Sequence, residues 1–126
     1  MQTCLLSAGV LAFVVGAIHS VLGEVLIFHR MRKGGVVPTF GAPLLLERHV
    51  RILWASWHMV TVFGWAFGAV LLRFAFPAED YPIQAFVENA IIFATLASSL
   101  LVLISTKGRH PGWLGLLGIA MLTWLG

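Results

Sequence analysis

Cysteine is almost missing from this chain of 126 residues. Cys4 stands alone, so no internal disulfide can form, and neither Cys-x-x-Cys redox chemistry nor a Cys-based zinc site is available. Charge is scarce as well. Only 10% of residues are charged and 60% are hydrophobic, whereas soluble domains carry ~25% charged residues. That balance argues against a water-soluble fold. The N-terminus Met-Gln-Thr-Cys has no basic lead, and the apolar run that follows exceeds a signal-peptide core of ~7–15 residues, so it reads as a retained first span. There is no Gly-x-Ser-x-Gly, P-loop or dinucleotide fingerprint, and no His-x-x-x-His or Glu-x-x-His pair. No basic stripe with interleaved aromatics is present, which excludes nucleic acid as a partner.

What is abundant is apolar sequence in four segments, at about 4–28, 50–73, 85–105 and 110–126. Crossing a hydrocarbon core takes roughly 20 residues of helix. Strands of a membrane barrel are shorter and alternate, so helix is the reading for all four. The sequence therefore predicts an all-α membrane protein, a single integral domain over residues 1–126, with four transmembrane helices in an antiparallel up-down bundle. The fourth segment is short for a full crossing and must begin before Pro111, thin the bilayer or stop below the far headgroups.

The connections orient the chain. The first carries Arg30, Arg32, Lys33, Arg48 and Arg51 against Glu47, and the third carries Lys107 and Arg109. The second holds Arg73, Glu79 and Asp80. Positive charge marks the cytoplasmic side, so both termini are expected on the other side. Small size and simplicity suggest a bacterial cytoplasmic (inner) membrane. The lipid bilayer is the first partner, and the glycines on helices one and two equally suit a homo-oligomer or a larger membrane complex.

Two histidines stand out. On the first helix Gly9, Gly16 and Gly23 recur every seven residues on one stripe, the small-residue pattern that lets backbones approach in lipid. His19 projects beside that stripe, whereas Glu24 falls about 140° around the helix from it. On the second helix His58, Thr61, Trp65 and Gly68 share a face, and Gly64 with Gly68 repeats the small-residue spacing. Counting from Phe28 and Arg51, His19 and His58 both lie roughly 10–14 Å deep from the same side. Thr95 and Ser99 of a third-helix stripe, which also holds Glu88 and Thr106, fall in that layer. Trp54 and Trp57 suit a headgroup belt.

Ionisable groups inside a membrane helix must face protein, water or ligand. One possibility is ordinary hydrogen bonding across the bundle. A second is a cofactor or metal site, with His19 and His58 ligating haem b from two sides, Trp57 and Phe63 packing around it, and a redox role. In its metal form His19, His58 and Glu24 hold a divalent metal as a two-histidine, one-carboxylate set. A third is a proton relay in a transporter, and a fourth an accessory or assembly subunit. His29, His49 and His110 fall at the boundary as solvated side chains, or with Glu47 as a second, surface metal set. Four spans in a chain of this length, with Glu24 in Gly-Glu-Val-Leu of the first helix, resemble the small multidrug resistance exporters. That resemblance implies proton-coupled export of small molecules with Glu24 as the essential carboxylate. Two features depart from the family: Glu24 lies near the inner end, and the charge bias is strong.

Overall fold

The computed structural model describes residues 1–41 and 43–126, and within them the chain is all helix and connection, with one isolated bridge between Gly41 and Leu45. Ala42 lies outside the described residues. Among the described residues four α-helices form: α1 (Gln2–Leu22), α2 (Glu47–Ala75), α3 (Ile83–Thr106) and α4 (Gly112–Leu125). Past Leu22 the first helix continues as a wider π turn over Gly23–Ile27 and a tight 3-10 turn over Phe28–Met31. The segments Gln2–Met31, Glu47–Ala75 and Ile83–Thr106 are long and apolar enough to cross a membrane, whereas α4 has 14 residues.

Local chemistry sets the ends. Pro82 precedes α3 and Pro111 precedes α4, positions where a missing N–H is harmless. Helix α3 stops at Lys107 and Gly108, both left-handed, with the Gly108 N–H returning to the Leu103 carbonyl at 2.9 Å. After Arg32 the chain reverses through Gly34 (φ +138°) and Gly35 (φ +81°), backbone angles that side chains rarely adopt. The amides of Thr39 and Phe40 then both bond the Met31 carbonyl, so the loop folds back onto the helix it left.

The helices pack in chain order, α1 on α2, α2 on α3 and α3 on α4. Along the first pair, Gly9 meets Leu72, Gly16 meets Trp65 and Gly23 meets Trp57, so α2 descends as α1 ascends. The glycine stripe of α1 is therefore the contact line. A Cβ on Gly23 would stand 2.1 Å from the Trp57 indole nitrogen, and one on Gly16 would stand 2.6 Å from that of Trp65. Gly68 packs on Phe13, but Gly64 faces open space, so that pair of glycines is not one motif. All four helices converge at one end, where Phe28, Trp54, Ala55 and Val102 are buried with Trp113 and Leu116 against them. This is the basic end of the molecule. The outer flanks of α1 and α4 remain apolar and exposed, as at Leu11, Val15 and Trp124.

Candidate functional site

Near the basic end, α1 and α2 exchange a continuous set of polar contacts. Ser20 and Glu24 are four residues apart and share a face of the first helix, as Trp54, His58 and Thr61 share a face of α2. His58 stands between the first pair. Its Nδ1 lies 2.9 Å from Ser20 Oγ and its Nε2 lies 2.9 Å from Glu24 Oε1. Trp54 donates its indole N–H to the same Glu24 oxygen at 2.5 Å. The other carboxylate oxygen pairs with Arg32, whose Nε also donates to the Val36 carbonyl in the folded-back loop. On the far side of His58, Ser20 Oγ lies 2.9 Å from Thr61 Oγ1, and Thr61 donates to the Gly16 carbonyl at 3.2 Å.

The site is neither sealed nor open, because the Glu24 side chain keeps 28% and His58 15% of their full exposure. Aromatic rings form its walls. Trp54 meets the His58 ring edge-on at 4.8 Å and Phe28 lies tilted at 6.2 Å. The π turn that carries Glu24 also brings Phe28 round to the buried side, an irregularity of a kind often found where a side chain is aimed at a site.

Each hydroxyl along this chain of contacts has one proton to give. Thr61 spends its proton on Gly16, so Ser20 must be the donor to Thr61. Ser20 then has no proton left for His58, so Nδ1 must carry one and donate it. The contact between Nε2 and Glu24 needs a further proton, on either atom. All four contacts are satisfied together when the Glu24–His58 pair holds one proton more than a carboxylate with a neutral imidazole. Removing that proton leaves one contact without a hydrogen: the Nε2–Glu24 contact if the imidazole proton stays on Nδ1, or the Ser20–Thr61 contact if it sits on Nε2, unless Thr61 then lets go of Gly16.

The chain matches no family model, no curated protein and no solved structure. The likeness to the small multidrug resistance exporters thus rests on architecture and one glutamate.

The residues singled out from sequence are distributed as follows. Glu24 and His58 are bonded to each other. His19 is at their level but on another face. It stacks on Trp57 with ring centres 4.3 Å apart, Trp57 donates to the His19 carbonyl at 3.0 Å, and His19 Nε2 is buried with no partner among the described residues. Adjacent residues of α1 thus meet adjacent residues of α2, His19 on Trp57 and Ser20 on His58. Both His58 nitrogens are engaged, by Ser20 and Glu24, and the His19 ring lies against Trp57. Phe63, considered as packing for a haem, lines an apolar groove between α2 and α3 instead. Among the described residues no three His, Cys, Asp or Glu side chains gather as a metal set. This includes Glu47 with His49 and His110, which border one cleft, and His29, which is exposed elsewhere.

The third-helix hydroxyls do not join the layer. Thr95 and Thr106 bond carbonyls of their own helix, at Ile91 and Val102, and Ser99 donates across to the Trp113 carbonyl at 2.8 Å. Glu88 accepts from Gln84 one turn away. Sequence reasoning passed over Ser20, and took Arg32 for orientation and Trp54 for a headgroup belt. The available signal was the four-residue spacing of Ser20 to Glu24 and of Trp54 to His58.

Proposed function

We propose that this is an integral membrane protein in which the Glu24–His58 pair takes up and releases a proton, serving proton-coupled movement of a small molecule. The basic end faces the cytoplasm in this reading, and proton entry runs past Arg32. The observation that carries it is the 2.9 Å contact between His58 Nε2 and Glu24 Oε1, set in a hydrogen-bonded chain that closes only when the pair is loaded. A proton can sit on either partner without moving a heavy atom, which suits a relay. When the remaining imidazole proton stays on Nε2 facing Glu24, unloading asks Thr61 to leave Gly16, one of the bonds between α1 and α2. Proton state and helix contact are thereby linked, as coupling requires.

The test is reconstitution of the full chain in vesicles holding a pH-sensitive dye. An imposed gradient of a lipophilic organic cation should drive proton movement in the wild type, and Glu24→Gln and His58→Gln should abolish it. Equal proton movement in Glu24→Gln vesicles and wild type would sink the proposal. Orientation is read separately through the exposed Cys4, which a membrane-impermeant maleimide should label in intact spheroplasts.

A further inference from the structure

The loops that connect the helices at the basic end bring charge into one place. Between the start of α2 and the turn joining α3 to α4 is a cleft of about 660 Å³, bordered by Glu47, Arg48, Arg51, Lys107 and Arg109. Its four cations exceed its one carboxylate by three, and three is the formal net charge of the whole chain. Elsewhere Arg30, Arg32, Lys33 and Arg73 are matched in number by Glu24, Glu79, Asp80 and Glu88. The entire excess of positive charge therefore lines a single concavity. Orienting a membrane chain does not require this, because charges anywhere near the span ends serve that purpose.

The cleft is also built. Arg51 is held on two sides, donating from Nε to Glu47 at 2.7 Å and from Nη1 to the Ser105 carbonyl at 2.9 Å, with its side chain only 12% exposed. That bond ties α2 to the end of α3. Lys107 and Arg109 sit on a turn whose backbone is fixed by the Gly108 and Arg109 amides, bonded to Leu103 and Thr106. Arg48 is exposed, and Ile52 supplies an apolar floor. One held guanidinium, Arg51, with the exposed side chains of Arg48, Lys107 and Arg109 around a cavity suits an oxyanion of two negative charges, because planar arginine forks match phosphate oxygens in pairs.

We propose that this cleft binds a phosphate group, carried either by an anionic lipid headgroup or by a soluble phosphate ester. The site is separate from the Glu24–His58 pair and stands whether or not that pair moves protons.

The test uses the full chain purified in neutral detergent and follows its unfolding temperature and intrinsic fluorescence. One arm adds inorganic phosphate at constant ionic strength. The other adds mixed micelles containing phosphatidic acid, with phosphatidylcholine micelles as reference. Saturable binding in either arm is expected, and the arm that responds identifies the carrier of the phosphate. The variant Arg48→Gln/Arg109→Gln, which leaves the Arg51 bonds in place, should weaken it by roughly tenfold or more, as expected for losing two charge-assisted contacts. Glu47→Gln should tighten it, by removing the one negative charge of the rim. Absence of saturable binding in both arms overturns the proposal, as does binding that the double variant leaves unchanged or a response that phosphatidylcholine reproduces.

Discussion

The two outer helix pairs of this molecule use polar groups in opposite ways. Between α1 and α2, side chains reach across: Glu24 to His58 and Trp54, Ser20 to His58 and Thr61, and the indoles of Trp57 and Trp65 to carbonyls of α1. Between α3 and α4, among the described residues, only Ser99 crosses, and the buried hydroxyls of Thr95, Ser105 and Thr106 bond carbonyls of α3 itself. Both interfaces contain hydroxyls where water is excluded. Only the first contains ionisable side chains bonded to each other, Glu24 and His58. Hydroxyls that return to their own helix make it compatible with an apolar setting, whereas groups satisfied by the opposite helix make the two helices interdependent.

The sharpest way to break this contrast is to remove the acceptor at its centre. Glu24→Leu leaves Arg32, Trp54 and His58 without their shared partner, and should destabilise the chain by about 3 kcal/mol, at the low end for breaking a buried ion pair. Reversible unfolding in detergent micelles measures it, and a loss as small as that of a surface substitution would show the network to be incidental. Next in size is Gly23→Leu. Its side chain must displace the Trp57 indole, which costs about 1–3 kcal/mol by overpacking and should alter tryptophan emission.

Smaller effects refine the comparison. Ser20→Ala should cost about 0.6–1.7 kcal/mol, the range of hydrogen bonds between membrane helices. A double-mutant cycle of Ser20→Ala with Thr61→Val should show coupling of ~0.5 kcal/mol or more, as for contacting residues. Thr95→Val on α3 should fall within ~0.5 kcal/mol of wild type, because its hydroxyl serves only its own backbone. A large effect there, or additivity at Ser20 and Thr61, would erase the difference between the two interfaces. Gly64→Ala faces open space and should be neutral or stabilising by up to ~1 kcal/mol through helix propensity.

Hydropathy made four helical segments legible before any coordinates, three of them long and apolar enough to cross a membrane. The seven-residue recurrence of Gly9, Gly16 and Gly23 pointed to a contact line, because a missing side chain marks close approach whatever the partner is. Rotation of one helix against another was not legible in the same way. Helix α1 is apolar nearly all round, so no amphipathic bias says whether His19 or Ser20 faces α2. One residue is about 100° of turn, enough to exchange a pair of facing histidines for His19 on Trp57 and Ser20 on His58. Arg32 was harder still, since it reaches Glu24 past a π turn and a 3-10 turn whose pitches no regular helical periodicity describes.

Composition and order of residues by themselves determined the helices, their lengths and the end at which basic charge collects, because those depend on local backbone satisfaction and on transfer from water. Tertiary structure alone decided which polar groups share protons and that the whole positive excess closes around one cleft. Both depend on directions in space between segments tens of residues apart, and a helix that is greasy on every side leaves those directions to packing.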